Sequence, residues 1–287
     1  MIWFVFSILT ALSESCKDVF SKKGLANIDE YVIAWALRFF ALPFLLPILF
    51  FIKIPPLGQE FWIALVVGAG LNAVCTILYM KAIKQSALSL TVPLVALTPM
   101  FLLLTSPFMI GEFPDLSGVA GIVLIVIGSY VLNFTASSRG YFAPFRGLLQ
   151  ESGPRLMLIT AFLWSITANC DKIGMQNSSP LFWSITATSG MAIFLIPIML
   201  YKSPRALQQI PLVYKKLLPI GFFCALTVIF QMLAVSLTLV AHVIAIKRTS
   251  TVMSVLWGFF IFKETGFKER LLGASIMISG VLLISLF

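Results

Sequence analysis

Lys247 and Arg248 stand side by side inside the apolar run 241–262, which contains no acidic residue. At about 1.5 Å per residue they lie about 9–11 Å from the start of that run. A charge inside a membrane-crossing helix costs at least about 2.5–3.5 kcal/mol, so each of these cations needs an answering group. Arginine stays charged and presents its donors as a fork that fits a carboxylate or a phosphate. Adjacent helical positions point roughly 100° apart. One cation is therefore expected to face an anion in a cavity, and the other to pair with a carboxylate or a backbone carbonyl. Glu14 or Asp18 is the candidate partner, and the expected ligand is anionic or zwitterionic. A structural ion pair is the alternative.

Other polar groups interrupt the apolar runs. Ser7, Thr10, Glu14, Lys17 and Ser21 recur at helical spacing, with Asp18 beside them. Glu14 and Asp18 are four apart and share a helix face. Thr160, Trp164, Thr167 and Asp171 form a related stripe 150 residues later. Two such faces suit opposite walls of a cavity, or a polar seam holding helices together. Asn72, Thr76 and Tyr79 lie on one face of a third run, and Cys224, Thr227 and Gln231 on one face of an eighth. Buried amides require inward-facing partners, whereas Tyr79 also suits an interfacial anchor. The expected substrate-binding set is Glu14, Asn72, Tyr79, Trp164, Asp171, Gln231, Lys247 and Arg248. Glu14 and Asp18 are expected to balance charge or to couple transport to an ion. Arg38 lies about 10 Å into its run, and its counterpart 150 residues on is Thr188. His242, the single histidine, reads as an interfacial polar group or a proton site. Cys16, Cys75, Cys170 and Cys224 each sit within an apolar run, with no metal-ligand spacing. No metal, no cofactor and no catalytic residue is expected. No Gly-rich loop with Lys-Ser/Thr is present to bind ATP.

The elements that hold these residues follow from composition. Of 287 residues 60% are hydrophobic and 11% charged, against roughly 25% charged in soluble domains. That excludes a soluble enzyme, and 26 Phe exclude disorder. Long apolar runs bounded by charge, Pro or Gly fall at 2–21, 31–52, 61–83, 88–110, 116–134, 156–174, 181–201, 217–237, 241–262 and 271–287. They read as ten transmembrane helices of an all-α integral membrane protein. Continuous rather than alternating hydrophobicity argues against a β-barrel. Met1-Ile2-Trp3-Phe4 lacks the basic start of a signal peptide, so the first run is expected to be retained.

The chain repeats itself. At a shift of 150, Thr10-Ala11 falls on Thr160-Ala161, Lys22 on Lys172, Gly24 on Gly174, Asn27 on Asn177 and Pro47 on Pro197. At 152, Ala82 falls on Ala234, Glu112 on Glu264, Gly121 on Gly273 and Gly128 on Gly280. Expected domains are a first five-helix repeat over 1–136, a polar linker over 137–155 and a second repeat over 156–287. Five spans is an odd number, so the second repeat is inverted, an architecture of transporters. Gly121 with Gly128 and Gly273 with Gly280, each pair seven apart, mark faces for close helix approach.

Residues 79–132 and 231–283 share a turn into a helix, a Pro or polar break, a Gly111-Glu112 or Lys263-Glu264 pair and a Gly-spaced last helix. Each stretch resembles the EamA domain of the drug/metabolite transporter superfamily. The resemblance covers essentially the whole chain and implies a ten-helix carrier of small metabolites, often an exporter. Two features depart from the family pattern. The break is Thr98-Pro99 in the fourth run but Ser250-Thr251 in the ninth, and Lys247-Arg248 stand where typical members are uncharged. A secondary transporter of a small polar metabolite, amino acid-like or otherwise anionic or zwitterionic, is expected. The alternatives are a nucleotide-sugar, sugar-phosphate or lipid-linked-sugar carrier and, in another class, a lipid-modifying enzyme or non-transporting subunit. Expected partners are the substrate, the lipid bilayer, a coupling proton or counter-substrate and a second copy in a homodimer, with no nucleic acid. The expected location is the cell (inner) membrane. Family resemblance puts both termini in the cytoplasm. Charge does the opposite: fourteen bases flank odd-numbered connections and two, Lys53 and Lys172, flank even-numbered ones.

Overall fold

The computed structural model describes residues 2–25, 28–85, 94–134, 151–204, 206–253, 257 and 267–286, and their regular structure is helical. Most of the expected 137–155 linker lies outside these residues, as do Lys263 and Glu264. The helices are α1 (Ile2–Leu25), α2 (Glu30–Phe39), α3 (Leu42–Leu45), α4 (Phe61–Gln85), α5 (Thr98–Met109), α6 (Leu116–Phe134), α7 (Ser152–Gln176), α8 (Pro180–Lys202), α9 (Ala206–Val235), α10 (Val240–Lys247) and α11 (Phe267–Leu286). Among the described residues, five stretches are long and apolar enough to cross a membrane: Tyr31–Phe50, Phe61–Tyr79, Ser152–Gln176, Pro180–Lys202 and Ile210–Val235.

Local chemistry sets the boundaries. Asp29 caps α2 by accepting from the Tyr31 N–H at 2.9 Å. Ser179 caps α8 with Pro180 at its first position, where the missing N–H is harmless. Pro43 and Pro47 prevent α2 from continuing as one regular helix, so Tyr31–Phe50 runs as α2, α3 and a tighter turn over Leu46–Phe50. Hydroxyls inside apolar helices donate back to carbonyls one turn earlier, as Ser7 does to Trp3 and Thr10 to Phe6.

Three expectations are corrected. The breaks expected at Thr98-Pro99 in the run 88–110 and at Ser250-Thr251 in the run 241–262 fall two residues earlier. Ala96-Leu97 form a turn before α5, and Arg248-Thr249 form one after α10, with helix resuming at Ser250. Second, α9 begins at Ala206 rather than 217, so Lys215 and Lys216 are exposed on a helix, where long side chains reach outward. Third, Lys172 is no loop base. It is buried on α7, and its Nζ donates to the Val235 carbonyl at 2.7 Å.

The helices form two compact units, each drawing on both halves of the chain. Unit I comprises Ile2–Ala73 with Cys170–Leu237, and unit II comprises Val74–Asn169 with Thr238–Phe287. In unit I, α1 lies along α9, with Phe20 stacked on Phe223 at 5.4 Å. Its core gathers Val32, Ile33, Trp35, Leu195, Met199 and Leu217. In unit II, α6 and α11 meet backbone to backbone through glycine. A Cβ on Gly121 would come 2.8 Å from the Gly280 carbonyl oxygen, and one on Gly128 would come 2.7 Å from that of Gly273. The seven-residue glycine spacing therefore does mark a contact face.

Candidate functional site

In unit II the two helix breaks meet. α5 begins at Thr98-Pro99, where Pro99 removes a backbone donor and fixes φ. The Thr98 hydroxyl donates to the Val95 carbonyl at 2.7 Å. The same oxygen accepts from Arg248 Nη2 at 2.9 Å. Arg248 caps the C-terminus of α10, and its backbone N–H closes that helix on Ala245 and Ile244. Thus the break of one half of the chain is tied to the break of the other by one charged hydrogen bond.

Two aromatic rings complete the group. The Arg248 guanidinium lies 5.9 Å from the Trp164 ring centroid, within cation–π range. Trp164 in turn lies 5.5 Å from the Tyr79 ring. A polar seam positions Trp164 by fastening α7 to α5. Thr105 donates to Ser165 at 3.2 Å, Ser106 to Asn169 at 2.8 Å, and the Asn169 amide to Thr105 at 3.0 Å. Inside a bundle such bonds replace the water that lipid cannot supply.

The far end of α10 is tied as well. Leu239, at its N-cap, has no capping side chain, and Glu112 Oε2 accepts from the Val240 N–H at 3.0 Å. Gly111 takes φ of +68°, a left-handed turn that suits glycine, just after α5. α5 and α10 are therefore antiparallel and bonded at both ends, Arg248 to Thr98 and Glu112 to Val240. A carboxylate at a helix N-terminus and a cation at its C-terminus both favour the helix dipole.

Of the expected site residues, Tyr79, Trp164 and Arg248 come together in unit II. Lys247 is partly buried on α10, next to Arg248. The others belong to unit I. There Lys17 Nζ lies 2.7 Å from Glu14 Oε1 and 3.9 Å from Asp18 Oδ1, so Glu14 has a cation from its own helix. Asp171 accepts from Trp183 Nε1 at 3.0 Å. Gly174 makes room for that indole, since a Cβ there would overlap the Trp183 ring. Asn72 is buried, and Gln231 is partly buried. Thr98 and Glu112 were not expected at the site. The Thr98-Pro99 break and the Gly111-Glu112 pair were visible in the sequence, but not what they bond.

These features define a helical integral membrane protein with polar chemistry at paired helix breaks. The chain matches the EamA-like transporter family over residues 1–134 and again over 152–286, and it belongs to that family of membrane transporters. A crystal structure of another protein is similar over 99% of this chain and 96% of its own, with a TM-score of 0.72 at 14% identity. That likeness concerns the fold. No curated protein sequence matches.

Proposed function

We propose that the chain is a secondary transporter of the cell (inner) membrane. It moves a small anionic or zwitterionic metabolite by alternating access, with ten transmembrane helices in two inverted repeats. The observation that carries this reading is the Arg248 guanidinium, held at a helix break against Thr98 and Trp164. Discontinuous helices at a repeat interface commonly bind substrate in transporters. Here the cation is an arginine, whose fork takes a carboxylate in two parallel bonds.

The mechanism follows from what Arg248 would exchange. A substrate carboxylate competes with the neutral Thr98 hydroxyl for the guanidinium, and it brings a full negative charge and a second parallel bond that the hydroxyl lacks. Binding thus loosens the tie between α5 and α10. A ligand that favours the untied arrangement shifts the population toward it, as alternation requires. Trp164 and Tyr79 supply a flat apolar wall beside the cation. That pair also suits the phosphate and ring of a nucleotide sugar or sugar phosphate, which is the second reading. Glu14 and Asp18, which balance Lys17, are the proposed coupling carboxylates, with a proton or counter-substrate as driving partner.

A metabolite panel tests this by thermal unfolding of the purified chain, since a ligand of the native state raises its stability by mass action. A metabolite bearing a carboxylate or phosphate should raise the melting temperature of the wild type but not of Arg248→Gln. A panel in which only uncharged solutes do so contradicts the reading.

A further inference from the structure

A second cation lies within an apolar stretch of unit I. Arg38 is the eighth residue of Tyr31–Phe50, about 10 Å from its start. Its guanidinium carries five donors. Among the described residues, the one polar atom it meets is Cys224 Sγ, at 3.9 Å. A thiol is a weak acceptor. Neither described ion pair includes Arg38, because Glu14 and Asp18 both answer Lys17. Arg38 stands in the last turn of α2, where the helix dipole favours a cation. That gain is smaller than the cost of a charge placed midway along a span. Among the described residues, no carboxylate forms an ion pair with this guanidinium.

Its surroundings suit an incoming anion. Arg38 is partly exposed, so its donors are not sealed off. Cys224 is buried at 3% exposure and forms one wall. On α8, Ile185 packs in one cluster with Cys224. Thr188, one turn further and on the same face, is 1% exposed, and its hydroxyl has no hydrogen-bond partner among the described residues.

We propose that Arg38, with Cys224 and the Thr188 hydroxyl, binds the carboxylate or phosphate of a small anionic solute, at a site separate from Arg248. Guanidinium and hydroxyl donate to the anion's oxygens, and the thiol gives way to a stronger acceptor.

The test is thermal unfolding of the full chain in detergent, with acetate and inorganic phosphate as probes against chloride at matched ionic strength. Arg248→Gln serves as background, so that the other site is silent. Both probes should raise the melting temperature of Arg248→Gln, and the rise should vanish in Arg248→Gln/Arg38→Gln. Cys224→Asp gives a second arm that does not remove the cation. It sets a carboxylate beside Arg38, and should melt higher than wild type in chloride and no longer respond to either probe in the Arg248→Gln background. An unchanged response after Arg38→Gln overturns the proposal. So does a lower melting temperature for Cys224→Asp, which means that Arg38 needs no anion. Stabilisation by phosphatidylglycerol in mixed micelles, with none from acetate or phosphate, assigns Arg38 to a lipid headgroup and also overturns it.

Discussion

Arg248 bonds Thr98 with one arm of a planar fork and sets that plane near Trp164, a combination that Lys cannot copy. Arg248→Lys keeps the charge and loses the fork. One hydrogen bond to a charged group contributes about 1.5–3 kcal/mol, so substrate affinity should fall about 10–100-fold while the folded yield holds. Titration of the substrate that the metabolite panel selects checks this, and equal affinity would move recognition away from the guanidinium. Glu14 is a different case. Its pair with Lys17 is about one-sixth exposed, which lies between a surface pair and a buried one. Glu14→Gln leaves Lys17 with Asp18, at 3.9 Å, as its remaining carboxylate. Breaking a buried pair costs about 3–5 kcal/mol and an exposed one up to about 1 kcal/mol, so an intermediate loss is expected. Glu14→Gln/Lys17→Gln should recover part of it. A double-mutant cycle measures the coupling, and additive losses would mean that the pair contributes nothing.

The helices carry their own tests. Without Glu112, α10 loses the acceptor at its N-terminus. A lost cap costs about 0.5–2 kcal/mol, so Glu112→Ala should speed hydrogen exchange at Val240–Val243 and weaken substrate binding through a displaced Arg248. Glu112→Gln keeps an acceptor oxygen and should restore most of the protection. Asp115 caps α6. The Gly118 N–H and the Ser117 hydroxyl, together with nearby His242, hold its carboxyl below its ordinary value near 3.8. A depressed carboxylate pKa stabilises the fold above its unfolded value, and that share is lost as pH falls through the folded one. Melting curves of wild type and Asp115→Asn should therefore converge as pH drops below about 3.8 and separate above it. Glycine positions divide by surroundings. Gly128→Ala drives a Cβ into the Gly273 carbonyl and the Met277 backbone and should cost about 1–3 kcal/mol. At Gly70, where a Cβ meets nothing within 4 Å, alanine should gain about 0.5–1 kcal/mol from helix propensity. Much of this level was legible in the sequence, because apolar runs in lipid leave the backbone few options besides helix. What was not legible depends on distant partners. Lys215-Lys216 read as a boundary before 217, yet α9 runs through them because exposed lysines reach outward. Arg248 and Trp164 were legible as polar groups in apolar runs. Thr98 was not seen as the residue that holds Arg248, because only the fold brings together residues 150 apart.

Each compact unit is assembled from both halves of the chain, so neither half holds a complete core of its own. Orientation is the open quantity at this scale. Burial of Lys172 removes one of the two bases flanking even-numbered connections and leaves Lys53, which strengthens the charge asymmetry. On the positive-inside rule, the α8–α9 connection, with Lys202, Arg205, Lys215 and Lys216 at or near it, is expected to face the cytoplasm and both termini to face out. Ser203 is a poor insertion point, because its hydroxyl donates to Asp29. A reporter placed after the exposed Pro204 should read cytoplasmic, and one after Phe287 external. The reverse pattern would restore the family's usual topology. The most direct measurement of the central claim is solute exchange by proteoliposomes holding this chain alone. Wild type should exchange the carboxylate- or phosphate-bearing metabolite that stabilises it, and equally folded Arg248→Gln should not. Undiminished exchange by Arg248→Gln, or none by folded wild type, contradicts a substrate site at the paired helix breaks.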